Sequence, residues 1–285
     1  MMRVRNKETF KSILLALGMV ACLFPAGCET TSEDYYNRGI AYCKKGKYDR
    51  AISDYTEAID INPWFAQAYY NRGGAYGRKR QYDQAISDFT KAVEIDPGFA
   101  EAYNNRGAAY GAQDQYDSAI SDFSKAIEIK PGYAEAYVNR GLAYYNKGQY
   151  DRAVSDYTKA IEIKPGDGEV YYKRGAANGK RGEYDLAISD YSSAIEKKPG
   201  LAKAYYNRGR AYGAKGKYDL AILDFNKVLE MNPEDAEAYN HRGAAYAAKG
   251  EYDKTWEDVH KAEELGYQVR RDFLKALRES SGRER

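Results

Sequence analysis

Apolar and polar positions along this chain follow a pattern that returns every 34 residues, from Ser32 to about Tyr267. Its phase is marked by seven glycines, Gly39, Gly73, Gly107, Gly141, Gly175, Gly209 and Gly243, each behind an arginine in blocks such as NRGIAY and NRGLAY. A tyrosine stands four residues before each glycine (Tyr35, Tyr69, Tyr103, Tyr137, Tyr171, Tyr205, Tyr239). In six units another follows three residues after it (Tyr42, Tyr76, Tyr110, Tyr144, Tyr212, Tyr246). Offsets of four and three put these side chains on one helical face. Glycine there lets a neighbouring helix approach closely, since any side chain would hold the backbones apart. After a short turn such as KGKYD, a second segment repeats alanine, an aromatic and alanine, as in Ala51, Tyr55, Ala58 and Ala85, Phe89, Ala92 and Ala119, Phe123, Ala126. Small residues beside large ones suit close packing of facing helices. Pro63, Pro97, Pro131, Pro165, Pro199 and Pro233 end these second segments, because proline cannot continue a helical ladder. The pattern predicts helix–turn–helix units at 32–65, 66–99, 100–133, 134–167, 168–201, 202–235 and 236–269, each burying its apolar face against its neighbours.

The last unit departs from the pattern. Thr255 replaces the alanine of its second helix, Val259 replaces the aromatic, and no proline ends it. In the stretch that follows, Val269, Phe273, Leu274 and Leu277 fall on one side and Arg270, Arg271, Lys275 and Arg278 elsewhere. This predicts an amphipathic capping helix over 270–280, which covers the last apolar face of the array, and a tail at 281–285. A basic helix that lies on lipid headgroups or on a partner is the other reading.

An aromatic, a glycine and a tyrosine, then alanines and a proline, at a period of 34 residues, resemble the tetratricopeptide repeat. The resemblance covers 238 of the 285 residues. It implies an all-α fold, a right-handed superhelical solenoid whose concave face is lined by the first helices.

Composition narrows the chemistry. The chain carries 44 basic and 42 acidic residues, a formal net charge of +2. Setting aside the four basic residues and one acid of the first 27 leaves 40 basic against 41 acidic. A near-neutral array lacks the positive footprint that nucleic-acid binding requires. The two histidines, His241 and His260, have no cysteine set beside them, and Cys43 has no second cysteine nearby, so no zinc site is expected. No glycine-rich phosphate loop follows a strand. The recurring aspartates Asp54, Asp88, Asp122, Asp156, Asp190 and Asp224 are expected as helix-surface partners of nearby Lys or Arg rather than as general acids. Neither a cofactor nor catalysis is expected.

The N-terminus reads as a targeting segment. Residues 1–27 combine a basic stretch (Arg3, Arg5, Lys7, Lys11) with an apolar run from Ile13 to Phe24, the length of a signal-peptide core and short for a spanning helix. An uncleaved anchor is the alternative. The PAGC ending resembles a bacterial lipoprotein signal, in which a small residue precedes the lipidated cysteine. Cys28 opens a polar tether at 28–31 and is the favoured site, whereas Cys22, after Met19-Val20-Ala21, fits the apolar-then-small pattern and is the alternative. With either lipidated, Cys43 has no disulfide partner in the array. The resemblance implies a lipid-anchored protein of the bacterial cell envelope. Glu29 is not the aspartate that resembles an inner-membrane retention signal, which favours the periplasmic side of the outer membrane.

Candidate functional residues are those that packing does not dictate. One first-helix position is asparagine in five units (Asn37, Asn71, Asn105, Asn139, Asn207), with Lys173 and His241 in the other two. Asparagine is a mediocre helix former, but its amide can both donate to and accept from a peptide backbone. In the repeat array that precedes an O-linked sugar transferase, asparagines at this place hold an extended peptide, and the resemblance implies a similar ladder here. Hydrogen bonding to an adjacent helix is the competing explanation. The preceding residue (Tyr36, Tyr70, Asn104, Val138, Tyr172, Tyr206, Asn240) and the third one on (Ile40, Gly74, Ala108, Leu142, Ala176, Arg210, Ala244) complete a groove with tyrosine walls and a mostly small floor. The acidic row Glu33, Glu101, Glu135, Glu169 and Glu237 suits first-helix N-termini, or forms a rim for a basic partner. The clamp with which some relatives grip a terminal carboxylate uses basic residues in successive units, and Lys173 and Lys203 are isolated.

The expected function is therefore a non-catalytic, membrane-tethered scaffold that holds a partner protein or extended peptide in its concave groove. A structural spacer, a self-associating homo-oligomer and a carbohydrate-binding module are the alternatives.

Overall fold

The structure, a computed structural model, describes residues 30–282. The targeting segment with both candidate lipidation cysteines, Cys22 and Cys28, lies outside the described residues. Fifteen helices and no strand occur among those described. They are α1 (Ser32–Lys44), α2 (Tyr48–Ile61), α3 (Ala66–Arg78), α4 (Tyr82–Ile95), α5 (Ala100–Ala112), α6 (Tyr116–Ile129), α7 (Ala134–Asn146) and α8 (Tyr150–Ile163). Then come α9 (Gly168–Lys180), α10 (Tyr184–Lys197), α11 (Ala202–Ala214), α12 (Tyr218–Met231), α13 (Ala236–Ala248), α14 (Tyr252–Glu264) and α15 (Arg271–Ser281). Among the described residues no helix is long and apolar enough to cross a membrane.

Odd- and even-numbered helices alternate as the first and second helix of each pair. Every helix packs on the next, and first helices of successive units also touch one another, from α1 on α3 through α11 on α13. That extra contact puts the first helices on the inner side of a solenoid.

Within a pair, the glycine of the first helix receives the aromatic ring of the second. A Cβ on Gly107 would sit 2.8 Å from the Phe123 ring, and one on Gly141 would sit 2.8 Å from Tyr157. Between pairs, alanines close the joint. Ala68, Ala102, Ala136, Ala204 and Ala238 are fully buried where each first helix meets the preceding unit.

The recurring aspartates are not surface residues. Asp54, Asp88, Asp122, Asp156, Asp190, Asp224 and Asp258 are buried, 3–6 % exposed. Each is gripped by the arginine that precedes the glycine of its own first helix, 16 residues earlier. Arg140 is typical: Nε donates to Asp156 Oδ2 at 2.9 Å and Nη2 to Oδ1 at 2.8 Å. Its third nitrogen, Nη1, donates to Ser124 Oγ of the preceding unit at 3.0 Å, and the guanidinium lies 5.6 Å from the centre of the Tyr137 ring. Thr56, Thr90, Thr158, Ser192 and Asn226 take the place of Ser124 for Arg72, Arg106, Arg174, Arg208 and Arg242. Surface-pair logic within one helix fails here because the partner lies on the facing helix. In the fifth unit Asn178 stands where the others carry tyrosine and donates to Asp190 Oδ2 at 2.9 Å.

The two ends differ from the middle. In α1 the interfacial alanine is replaced by Asp34, which completes a capping box with Thr31 (Asp34 N–H to Thr31 Oγ1 3.1 Å, Thr31 N–H to Asp34 Oδ2 2.9 Å). Among the described residues no unit precedes Arg38, and its side chain is 54 % exposed, against 17 % for Arg72. At the other end α15 covers α14: Leu277 and Val269 are buried with Trp256, Val259 and Ala262, and Phe273 and Leu274 pack against them. Trp256 Nε1 donates to Ser281 Oγ at 3.2 Å.

Two outcomes test this account. Arg140→Met leaves Asp156 buried without its partner, which should cost about 3–5 kcal/mol in urea unfolding, whereas Arg140→Met with Asp156→Leu should recover most of the loss. The adjacent glycines of α3 should respond in opposite senses. A Cβ on Gly73 meets Phe89 at 2.9 Å and the Ala85 carbonyl at 3.2 Å, while one on Gly74 meets nothing within 4 Å. Gly73→Ala should therefore lower stability by about 1–3 kcal/mol, and Gly74→Ala should raise it by about 1 kcal/mol.

Candidate partner-binding groove

The C-terminal halves of the first helices form the floor of a groove. Its largest stretch, about 920 Å³, runs over α1, α3 and α5, with Gly74, Gly77 and Ala108 in the floor and Asn71 and Asn105 beside it. A second stretch of about 330 Å³ lies over α9 and α11, between Tyr145, Tyr172 and Arg210. A third, about 240 Å³, continues to His241 and Ala244. The fourth unit interrupts the floor. Leu142 is 40 % exposed where four of the other six units have glycine or alanine, and Tyr145 packs edge-on against Tyr150 at 5.3 Å.

Three floor glycines have no packing role. A Cβ on Gly74, Gly77 or Gly213 would meet no neighbour within 4 Å. A helix-interior glycine is about 1 kcal/mol less favourable than alanine, so nothing inside the fold favours glycine at these sites. Glycine does let another backbone come close to the floor.

The asparagine and tyrosine rows meet across unit boundaries. Asn71 Nδ2 donates to Tyr36 Oη at 2.9 Å, Asn105 to Tyr70 at 3.0 Å and Asn207 to Tyr172 at 3.2 Å. Asn139 reaches Asn104 Oδ1 at 3.0 Å, because asparagine stands in the tyrosine row there. Asn207 also donates to the Lys203 carbonyl at 3.0 Å. The amide nitrogens thus serve the joints between first helices, and the amide oxygens of Asn71, Asn139 and Asn207 accept from no protein donor among the described residues. Asn37 is exposed on the first helix, and no unit precedes it among the described residues.

The tyrosines are half-buried rather than free-standing. Tyr36 packs on Phe65 at 4.7 Å and on Tyr55 at 5.9 Å, and Tyr70 repeats this with Phe99 and Phe89. Lys203 Nζ lies 4.4 Å from the centre of the Tyr172 ring. Tyr206 donates to Glu237 Oε2 at 3.0 Å and contacts His241 edge-on at 5.5 Å. Burial raises the phenol pKa of Tyr36, Tyr70 and Tyr206, and Glu237 adds to the rise at Tyr206. Burial, with Lys203 nearby, lowers that of Lys173, which stands in the asparagine row.

The acidic row at the first-helix starts is largely engaged. Glu101 accepts from Lys130 at 2.8 Å, and Glu169 is bridged by Lys198 at 2.8 Å and Lys203 at 2.7 Å. Among the described residues no group of three His, Cys, Asp or Glu side chains is placed to hold a metal ion.

His241 carries a testable pH dependence. Burial, and then Arg210, holds its imidazole below the ordinary value, against the opposing pull of Glu237 and Asp235. The folded chain then binds fewer protons than the unfolded one, so stability is lost as pH falls from the ordinary imidazole range through the folded value. His241→Asn, the residue five other units carry, should remove this loss. Between about pH 7.5 and pH 5 the melting temperature of the variant should fall less than that of the wild type.

Comparison with known proteins agrees with this architecture. The family pattern "Tetratricopeptide repeat" matches residues 66–99, 100–133, 134–167 and 202–235, and a second pattern of that description matches 225–257. A further one, "TPR repeat", matches 39–80 and 179–216. None of the curated proteins compared matches the chain. Among solved structures, MamA is 33 % identical with a TM-score of 0.55, over 58 % of this chain and 96 % of its own. YrrB, described as a TPR protein with an unusual peptide-binding site, is 26 % identical with a TM-score of 0.58, over 65 % and 95 %. The C-terminal part of a TPR repeat-containing protein from Cytophaga hutchinsonii is 21 % identical with a TM-score of 0.71, over 85 % and 99 %, a likeness of fold. Repeat pattern, helix pairing and these matches together make the chain a member of the tetratricopeptide-repeat family.

Proposed function

We propose that this protein is a non-catalytic scaffold of the bacterial cell envelope that holds an extended segment of a partner protein in its concave groove. The observation that carries the reading is the open glycine floor at Gly74 and Gly77, in the largest stretch of the groove. Internal packing makes no use of these glycines, and a closely approaching backbone does. Asn71 lies beside that floor, and its amide oxygen, which accepts from no protein donor among the described residues, is available to a main-chain N–H group. YrrB, with its peptide-binding site, is a relative with the same architecture. Membrane tethering through Cys28, or through Cys22, belongs to the same proposal and rests on the basic, apolar and small-residue order of the first 28 residues.

The carbohydrate alternative needs exposed tyrosine faces on which a sugar ring can stack. Phe65 and Tyr55 pack against Tyr36, and Lys203 lies over Tyr172, so those faces are occupied by the fold.

Replacing asparagines alone is an ambiguous test, because their amide nitrogens also join the units. A cleaner test transplants the side chains of the fourth unit into the second, as Gly74→Leu with Gly77→Tyr. The Cβ positions are unobstructed, so the melting temperature should not fall. Affinity capture from detergent-solubilised envelope, with the full chain as bait, should yield a partner that the double variant loses. A partner retained at equal yield by the filled-groove variant would remove the groove from the mechanism.

A further inference from the structure

Most charged side chains on this array are paired. Lysine–glutamate pairs run along the outer helices, as in Lys91 with Glu94 and Lys159 with Glu162. Cation–aspartate pairs bridge successive units at the turns, as in Lys79 with Asp49 and Arg181 with Asp151. Other cations, Arg80 and Lys217 among them, form no ion pair among the described residues, and four such cations lie in the groove. Lys44 and Arg78 line its first stretch, and Lys180 and Arg210 its second. None of the four forms an ion pair among the described residues. No carboxylate lines any of the three groove stretches. The rest of the chain gives no reason for this imbalance, since basic and acidic residues beyond the first 27 are nearly equal.

We infer that the groove selects an acidic extended segment, with carboxylates seated near Lys44 and Arg78 and again near Lys180 and Arg210. The inference rests on the groove reading above and adds the chemistry of its occupant. A concave surface lined by charges of one sign concentrates its field, attracts the opposite charge and rejects the same sign. The positive positions fall into two clusters, in units one and two and in units five and six. The uncharged ridge of Leu142 and Tyr145 lies between them. A bound segment would therefore carry acidic residues towards both ends and an apolar stretch between.

A simpler account exists for part of this pattern. Lys44, Arg78 and Lys180 lie in the last turns of their helices, where a cation complements the helix dipole. That account covers neither Arg210, which lies earlier in α11, nor the lack of carboxylates along the groove. It also makes a different prediction, because dipole partners affect stability and leave ligand choice unchanged.

The test uses the full chain in detergent and fluorescence anisotropy with three labelled peptides, in which serine alternates with glutamate, with glutamine or with lysine. The glutamate peptide should bind at least about tenfold more tightly than the glutamine peptide, and the advantage should shrink as salt rises. Lys180→Gln with Arg210→Gln, and separately Lys44→Gln with Arg78→Gln, should each remove most of that advantage. Equal affinity for the glutamate and glutamine peptides, or preference for the lysine peptide, would overturn the inference and leave the groove reading intact. A single-stranded oligonucleotide that binds as tightly and is lost in the same variants would overturn the assignment to a peptide. Failure of all three peptides to bind would also overturn the acidic preference, and the partner-capture experiment then decides the groove reading separately.

Discussion

The buried arginine–aspartate pair is the interaction on which the rest of the array depends. Alanine and aromatic packing is favourable but non-directional, and small side chains slide past one another at little cost. A guanidinium that grips its own second helix through two bonds and the preceding second helix through a third cannot slide. A shifted unit would strand a carboxylate inside the joint, with a penalty of several kcal/mol. Repetition of the same triangle at Arg72, Arg106, Arg140, Arg174, Arg208 and Arg242 sets both the fold of each unit and its register on the next. Burial raises the carboxyls of Asp88 and Asp258 even beside their arginines, so these pairs specify geometry more than they add stability.

With register held on the far side of each first helix, the groove side is free to differ from unit to unit. The tyrosine and asparagine rows form a second, weaker seam there, one hydrogen bond at four of the six joints, and the floor glycines Gly74, Gly77 and Gly213 carry no packing duty. Departures from the repeat collect on that floor. Glycine stands at 74 and 77, leucine and tyrosine at 142 and 145, and arginine at 210. A uniform floor would read only backbone shape. This one has a glycine-floored stretch, a ridge and a second hollow, with cations on both sides of the ridge.

How much of this was legible in the sequence depends on the distance over which each feature acts. The close approach at Gly107, the small residues and the helix-ending prolines act within one unit, and their spacing identifies them. The role of Asp122 was misread because its partner Arg106 lies 16 residues earlier on a facing helix, beyond any same-helix rule. The signal was present: both residues recur in every unit at that separation, and an internal repeat serves as its own alignment. The bond from Asn71 to Tyr36 spans 35 residues and crosses a unit boundary, so a reading unit by unit names both residues as groove candidates and misses that they hold each other. The groove cations were hidden for another reason. Lys44, Arg78 and Lys180 share one repeat position, which the other units fill with alanine or asparagine, and only the fold shows that Lys180 and Arg210 share one hollow.

The ends decide what such an array can be. Stacking needs the alanine face that Ala68 or Ala136 presents, and the first unit offers Asp34 and an exposed Arg38 in its place. The last unit has its apolar face sealed by Leu277 and Val269. Among the described residues, neither end presents the joint that links one unit to the next. Over the described units the groove has a finite and fixed order: a glycine-floored stretch, a ridge and a second hollow. A finite and ordered groove defines a direction for whatever lies in it, which a spacer or an open-ended filament of identical units does not need.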